Sequence, residues 1–292
     1  MLYDLENELK NIYTVDELEK IKSSLKNDKK ACVFLNKIKC SNKELEDIFK
    51  KENIKFKKLD KYCYEIDEKS KASQSVAFKQ GLFYIQNFSS YLCAKNLNVS
   101  KNDTVLDMCA APGGKSINLA NFMDNEGYLS CVELSKDRFF KLKNNLQNYG
   151  VKNARIFCKN ALSIGKICPL KFDKILLDAP CSSFSKLGFS IKRNKKDIKN
   201  IAKLQKKLLH SALNALKING ELIYSTCTFT KEENEEVIEN ALNSKFKIEI
   251  LNLDLDILES KKAIIGENSL ARRIIGNDFA QSFFICKIRK NG

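Results

Sequence analysis

Two cysteines follow short apolar stretches of the chain, and their placement favours a reactive role over a structural one. Cys181 ends the segment that begins at Asp178, and Cys227 ends the segment that begins at Ser225. A single cysteine in such a place is usually a small buried residue. Two of them, with an acid and a proline-stiffened turn beside one, favour nucleophilic chemistry, because a thiolate attacks electron-poor carbon atoms.

A pyrimidine ring is a natural target for such a thiolate. Carbon 5 of cytosine is a poor nucleophile until a thiolate adds to carbon 6, and the enamine-like adduct then accepts an electrophilic methyl group. Asp178, if it is protonated or shares a proton with the base, would stabilise charge at ring nitrogen 3. The chemistry alone leaves open which of the two cysteines attacks.

A glycine-containing segment, Cys109–Ser116, follows a predicted strand and opens a predicted helix. Its two glycines allow the backbone to approach a ligand, and the helix start offers free N–H groups. A phosphate loop would need glycine in place of Cys109, and a dinucleotide fingerprint is also missing. S-adenosylmethionine fits better, because its carboxylate needs N–H groups and its ribose needs an acid such as Glu133 at the next strand end. A tight turn without a ligand is the alternative.

The segments around these residues alternate between short apolar stretches and helix-like stretches. Such alternation predicts right-handed crossovers and a mostly parallel sheet, with an antiparallel edge strand permitted at the end because no clear helix separates the last two strands. The predicted strands cover 104–108, 128–133, 155–158, 172–177, 222–224, 246–251 and 283–288, and the predicted helices cover 115–122, 136–149, 198–216 and 232–242.

The carboxyl ends of these strands should gather polar and reactive residues at one rim. Ligands of open α/β sheets bind at that edge, so we expect the chemistry there. The residues predicted to stand on the rim are Asp107–Lys115, Glu133, Asn160, Asp178–Cys181 and Ser225–Cys227.

The first seventy residues differ in composition from the rest, because they are rich in Lys, Glu, Leu and Ile and contain no glycine to mark turns. Strands are predicted at 32–35 and 62–66, with a helix at 42–51. We therefore expect two domains, a small N-terminal α+β subdomain over residues 1–70 and a larger domain over residues 71–292.

The charge of the chain favours a polyanionic partner. Lys and Arg number 51 against 36 Asp and Glu, a net charge of +15, and each neutralised phosphate releases condensed counterions. A lysine-rich proteome is the alternative explanation. Nine basic residues and one acidic residue lie between Lys186 and Lys207, directly after the Cys181 turn. This stretch is predicted either to hold an RNA backbone or to form a solvated helix face.

Several classes of protein are disfavoured by what the sequence lacks. There is no run of eighteen apolar residues to span a membrane, and the acidic first residues do not resemble a signal peptide. The eleven cysteines are odd in number and have no C-x-x-C spacing, which disfavours a zinc ribbon and favours a reducing compartment. We expect a cytoplasmic protein without a metal, a monomer that does not bind membranes.

Three motifs together resemble the Sun (Fmu)-type family of S-adenosylmethionine-dependent RNA cytosine-5 methyltransferases. They are Asp107–Ser116, Asp178–Ser182 and Tyr224–Thr228, which match the family in order and spacing. The resemblance covers about residues 30 to 290 and implies a Rossmann-like methyltransferase fold with a small, RNA-recognition-like N-terminal subdomain. The segments that resemble flanking parts of the family are 81–86, 89–90, 232–235 and 283–287.

The resemblance also implies a role for each motif residue. Cys227 would be the nucleophile, and Cys181 would assist release of the product, whereas DNA cytosine methyltransferases attack with the cysteine equivalent to Cys181. Lys115 and Asp178 would line the cytosine site. The residues implied in cofactor binding are Cys109, Ala110, Ala111, Pro112, Gly113, Gly114, Lys115, Glu133, Arg138, Asn160 and Asp178.

The chain departs from the family pattern at three positions. Asn160 stands where the family usually has an aspartate near the adenine, and an amide oxygen accepts a hydrogen bond from the adenine amino group without carrying a charge. Adenine recognition should therefore survive. Ser183 and Ser282 replace usual glycines.

Ribosomal RNA is the favoured substrate, and transfer RNA is the first alternative. Two other classes stay open, a phosphate-loop nucleotidase and a catalytically silent RNA-binding assembly factor. The presence of Cys181, Cys227, Asp178 and Lys115 together argues against a silent protein.

Overall fold

The computed structural model describes residues 2–26, 30–189, 191–255, 257–266 and 270–292. Ser190, within the basic stretch 186–207, lies outside these ranges. The described chain forms a small sheet of four strands and a large sheet of nine. None of its helices is long and apolar enough to cross a membrane.

The small sheet is antiparallel, with strand order β2-β3-β1-β4. Its core packs Phe49 and Tyr64 against Val33 and Phe83. The helices of this part of the chain are α1 Leu5–Lys10, α2 Val15–Lys26, α3 Asn42–Lys51, α4 Lys69–Gln74, α5 Val76–Lys79 and α6 Phe88–Asn96, and its strands are β1 Ala31–Leu35, β2 Phe56–Asp60, β3 Cys63–Ile66 and β4 Phe83–Ile85.

The three N-terminal elements predicted from the sequence are confirmed, and others appear beside them. The helix over 42–51 begins after Ser41, whose hydroxyl accepts from the Glu44 amide while the Glu44 carboxylate accepts from the Ser41 amide. The fourth strand, β4, lies after residue 70 and completes the small sheet. The division into domains at residue 70 stays a prediction.

The large sheet is parallel over its central five strands, in the order β9-β8-β5-β6-β7, and β13 adds antiparallel to β9. This arrangement confirms the predicted Rossmann-like fold. The remaining elements are β5 Thr104–Asp107, α7 Gly114–Phe122, β6 Tyr128–Glu133, α8 Lys136–Asn148, β7 Ala154–Cys158, α9 Ile164–Ile167, β8 Phe172–Asp178, α10 Phe184–Leu187, α11 Lys195–Ala215, β9 Leu216–Thr226, α12 Glu235–Leu242, β10 Ile248–Leu251, β11 Ser260–Lys262, β12 Arg272–Ile274 and β13 Phe283–Lys290.

The central strands carry apolar side chains on both faces, and each face packs against a layer of helices. Leu176 and Ile223 belong to a core that includes α6, α7 and α8, while Leu177 and Leu222 belong to a core that includes α11 and α12. Strands covered on both sides are expected to be continuously apolar, as 175–177 are.

In the described part of the chain the large sheet has nine strands, where seven were predicted. The added strands, β11 and β12, are three residues each and extend the antiparallel side beyond β13. Strands this short carry too few alternating residues to be detected by periodicity. The predicted strand 222–224 is also longer, because β9 begins at Leu216, directly after α11.

Candidate active site

Parallel pairing places the predicted reactive residues at one rim of the large sheet. Asp178 pairs with Ser225 at the ends of β8 and β9, and Asp107 pairs with Leu176 on the other side of β8. The loops that follow these strands therefore leave the sheet side by side, as sequence spacing predicted.

The two cysteine sulfur atoms are in contact, 3.3 Å apart. Ser183 Oγ lies 3.6 Å from the Cys227 sulfur and 3.8 Å from the Cys181 sulfur. The hydrogen bond with Cys181 lowers the pKa of Cys227, against the opposing effects of burial and Asp178. The same contact and burial raise the pKa of Cys181. Cys227 is therefore the thiol that ionises first.

Lys115 and Asp178 form an ion pair beside these thiols. Lys115 Nζ donates to Asp178 Oδ2 at 2.6 Å and lies 3.3 Å from Ser90 Oγ, while Ser225 Oγ donates to Asp178 Oδ1 at 3.0 Å. Burial alone would lower the pKa of Lys115, but the Asp178 carboxylate outweighs it and the pKa is raised. The pair thus presents a fixed donor and a fixed acceptor.

Glu133 is a buried carboxylate at the end of β6. Its side chain is 4% exposed; Oε1 accepts from the Ser135 amide at 2.9 Å, and Oε2 lies 3.5 Å from Arg138. Arg138 also donates to the Ala111 carbonyl at 2.6 Å. Glu133 and Arg138 therefore join the start of α8 to the loop after β5.

The two glycines of that loop are needed for different reasons. Gly113 has φ +115°, a left-handed conformation that other residues rarely adopt. A Cβ on Gly114 would lie 2.7 Å from Tyr84 and 3.2 Å from Gln86. Gly114 thus permits close packing against the small sheet, a reason that the loop sequence alone does not reveal.

Asn160 starts the short 3-10 turn after β7. Its Oδ1 accepts from the Leu162 amide at 3.0 Å, so part of its acceptor capacity is used within the turn.

Two cavities meet at Cys227. The first, here called the Glu133 cavity, has a volume of about 550 Å³. The second, the Lys115 cavity, has about 420 Å³. Both are lined by Cys109, Ala111, Asp178 and Cys227, which therefore stand between them. The other predicted residues of the Glu133 cavity are Cys181, Glu133, Arg138 and Asn160, and those of the Lys115 cavity are Ala110, Pro112, Gly114 and Lys115.

Gly113 is a predicted cofactor residue that lines neither cavity. A Cβ there would approach Leu142 at 3.1 Å, so the residue faces α8. Its contribution to the loop is conformational.

A buried carboxylate that the sequence did not single out holds the Cys181 turn. Glu233 accepts from the Ser182 amide at 2.9 Å, from Thr230 Oγ1 at 2.9 Å and from Gln205 Nε2 at 3.1 Å. Gln205 also donates to the Pro180 carbonyl at 2.9 Å. The segment 232–235 resembled the family, but spacing alone gives no reason to connect Glu233 with a turn some fifty positions earlier.

The wall of the Lys115 cavity includes residues to which the sequence assigned no role. Tyr84, Gln86 and Ser90 come from the segment before β5, and Phe283 comes from β13. Lys115 Nζ lies 5.8 Å from the centre of the Phe283 ring. Segments 81–86 and 283–287 were noted only for their resemblance, because elements so distant in sequence meet only through the fold.

Comparison of the sequence with known protein families identifies a match that includes most of the residues of this site. The sequence model of the 16S rRNA methyltransferase RsmB/F family matches residues 94–289. The chain belongs to this family. The resemblance to Sun-type proteins is thereby confirmed.

Individual relatives agree with this assignment. The chain is 34% identical over 222 residues to a tRNA (cytosine(72)-C(5))-methyltransferase of Pyrococcus horikoshii, covering 75% of this chain and 55% of the relative. It is also 34% identical over 219 residues to ribosomal RNA small subunit methyltransferase F of Vibrio cholerae, covering 72% and 46%. The chain thus spans about half the length of these curated relatives.

A solved structure supports the fold. A methyltransferase homologue from Pyrococcus horikoshii has 31% identity and a TM-score of 0.83, with 98% of each chain covered. NSun6 from the same organism, solved with SFG, has a TM-score of 0.86 at 24% identity, covering 99% of this chain and 98% of the other.

Proposed function

We propose that this protein transfers a methyl group from S-adenosylmethionine to carbon 5 of a cytosine in RNA, through a covalent adduct with Cys227. The observation that carries the proposal is the contact between the Cys181 and Cys227 sulfur atoms, 3.3 Å apart, at the point where Cys227 borders two cavities. One cavity suits the cofactor and the other the target base.

The Glu133 cavity fits the cofactor. The Glu133 carboxylate is nearly buried yet lines the cavity, so it is available to accept hydrogen bonds from a ribose diol. Pro180, Leu204 and Leu208 supply apolar wall for an adenine ring. Bound there, S-adenosylmethionine would supply the electrophilic methyl group.

The Lys115–Asp178 pair suits the Watson–Crick edge of cytosine. The Lys115 ammonium can donate to ring nitrogen 3, and the Asp178 carboxylate can accept from the exocyclic amino group. Uracil presents the opposite pattern, with a donor at nitrogen 3 and an acceptor at carbon 4. It would leave both protein groups mismatched, so the pair should favour cytosine over uracil.

The different acidities of the two thiols favour separate roles. Cys227 ionises first and adds to carbon 6, which places electron density on carbon 5 and draws a proton toward ring nitrogen 3. Once its sulfur is bonded to carbon, Cys227 no longer shares charge with Cys181. After carbon 5 has received the methyl group, Cys181, having released its own proton to solvent, can remove the proton from carbon 5. The electron pair of that C–H bond then re-forms the double bond between carbons 5 and 6 and expels Cys227 as a thiolate.

The charge of the chain and its family favour RNA as the substrate. Lys186 lines the Lys115 cavity, and the basic helix α11 contributes Leu204 and Leu208 to the Glu133 cavity. Lys186 and the helix that carries most of the basic stretch therefore border the proposed site. Ribosomal RNA is favoured because the family model is that of a ribosomal RNA methyltransferase, and the transfer RNA relative makes transfer RNA the second candidate.

Methyl transfer to RNA from a strain lacking the protein tests the function. Tritiated S-adenosylmethionine, the purified protein and separated ribosomal and transfer RNA fractions should yield labelled 5-methylcytidine, with bisulfite sequencing giving the position. Label in another nucleoside, or no label in either fraction, would contradict the proposal.

A further inference from the structure

The connection between β7 and β8 leaves part of one sheet face uncovered. From Cys158 to Phe172 it contains only the 3-10 turn and the four-residue α9. Ser211 of α11 accepts from the Gly165 amide at 3.0 Å and donates to the Ala161 carbonyl at 2.8 Å. The connection therefore runs beside α11, whereas parallel sheets usually carry helices over both faces.

The uncovered area is a groove of about 550 Å³ along β6 and β7, here called the Phe157 groove. Tyr128 is 67% exposed and Phe157 is 41% exposed. Ser130 pairs with Arg155 and Val132 pairs with Phe157, so alternation places Tyr128, Arg155 and Phe157 on the same face. Two aromatic rings thus stand in solvent on one surface.

Three cations line the same groove. Lys152, Arg155 and Lys171 are exposed, and none forms an ion pair with a described residue. No carboxylate is among the described residues of its lining. A second copy of this surface would bring like charges together, which disfavours self-association. Exposed rings beside unpaired cations suit unpaired nucleotides, whose bases stack and whose phosphates are anionic.

The groove runs from the amino ends of β6 and β7, where Lys152 and Lys171 lie, to Phe157, one residue before the carboxyl end of β7. Phe157 is level with Val132, next to Glu133 on β6. The other end, at Tyr128, is five residues from Glu133, or about 17 Å along the strand. Three strand spacings of about 5 Å each separate β6 from β9, the strand that Cys227 follows. An RNA segment of several nucleotides is long enough to span the distance from the groove to the Lys115 cavity.

We propose that the Phe157 groove binds an unpaired segment of the RNA that carries the target cytosine. Bases stack on Tyr128 and Phe157, and phosphates lie beside Lys152, Arg155 and Lys171. The identity of this RNA rests on the proposed function, whereas the binding of single-stranded RNA does not.

Fluorescence anisotropy with a fluorescein-labelled twelve-nucleotide oligouridine tests the groove. Tyr128→Ala and Phe157→Ala should each weaken binding by about fivefold or more, the loss expected when one stacked base is released. Tyr128→Phe keeps the ring and should bind as the unmodified protein does. Phe140→Ala is the matched control, because Phe140 is 57% exposed on α8, outside the groove, and should have no effect.

Four outcomes would overturn the inference. The first is that both alanine variants bind the oligouridine as tightly as the unmodified protein does. The second is that the unmodified protein does not bind it, and the third is that Phe140→Ala loses binding. The fourth is self-association, measured by sedimentation, that Phe157→Ala abolishes. Methyl transfer is measured separately, so the two proposals can fail independently. A groove-dependent interaction in a protein without methyl transfer would contradict the proposed function and support the groove.

Discussion

The Cys181 and Cys227 sulfur atoms share one hydrogen bond, which makes the two thiols unequal before any substrate arrives. A thiolate at Cys227 is stabilised by its neighbour, while Cys181 keeps its proton. The Glu133 cavity does not distinguish the two thiols, since both residues line it. Only Cys227 also lines the Lys115 cavity, where the base would lie. Position and acidity therefore both favour Cys227 as the proposed nucleophile.

Substitution of each cysteine should have opposite effects on the covalent adduct. Cys227→Ala should abolish both methylation and any protein–RNA adduct, because no thiolate remains to attack carbon 6. Cys181→Ala should add to cytosine and then stall, so an adduct should accumulate on denaturing gels. RNA containing 5-fluorocytosine should trap the unmodified protein, because fluorine replaces the proton that must leave carbon 5.

General misfolding cannot mimic this pair of results, since the two variants change the same signal in opposite directions. If Cys181→Ala lost the adduct and Cys227→Ala accumulated it, the roles would have to be exchanged. The mechanism would then be that of the DNA enzymes.

Glu133 is the residue on which cofactor binding should depend most clearly. Glu133→Ala removes the proposed acceptor for the ribose hydroxyls and should weaken binding of S-adenosylmethionine by about 1–3 kcal/mol. Calorimetry measures this directly. Glu126→Ala, an exposed carboxylate before the start of β6, is the control and should leave binding unchanged. Tighter binding of NAD or ATP than of S-adenosylmethionine would contradict the cofactor assignment.

At the level of elements, the sequence predicts the central α/β alternation well and the helix starts less well. The helix predicted at 198–216 begins at Lys195, where the Asn194 amide donates to Asp197 Oδ2 at 3.3 Å. The helix predicted at 232–242 begins at Glu235, since the preceding Glu233 faces the Cys181 turn instead. Both differences arise from side-chain hydrogen bonds, which hydrophobic periodicity does not contain.

The basic helix α11 should contribute to RNA binding through its charge. Lys195 and Lys196 are exposed at its start, so reversing both to Glu should weaken RNA binding and flatten the dependence of log affinity on log salt. Reversal of Lys141 and Lys143 on α8 makes the same change in net charge and serves as the control. Equal slopes for both double variants and the unmodified protein would place the binding face elsewhere.

Across the whole molecule, the first N-terminal residues and the small sheet contact different parts of the rest of the chain. Leu9 and Tyr13 of the first residues pack with Phe184 and Phe229, which follow the two cysteines in sequence. Tyr3 donates to Glu232 Oε2 at 2.8 Å. The small sheet instead meets Gly114 through Tyr84. Composition marked the first seventy residues as different, but contacts so distant in sequence could not be predicted from one chain.

The helices α1 and α2 therefore stabilise the loops that hold the cysteines. Leu9 is fully buried, so Leu9→Ala should lower the free energy of unfolding by about 2–5 kcal/mol. Because Leu9 packs with Phe184 and Phe229, adduct formation by Cys227 should also slow, while calorimetry should still show cofactor binding in the more distant Glu133 region. Leu2→Ala, at a side chain 52% exposed, is the matched control and should change neither quantity. A destabilised Leu9→Ala protein that forms the adduct at the unmodified rate would show that these helices support the fold without positioning the thiols.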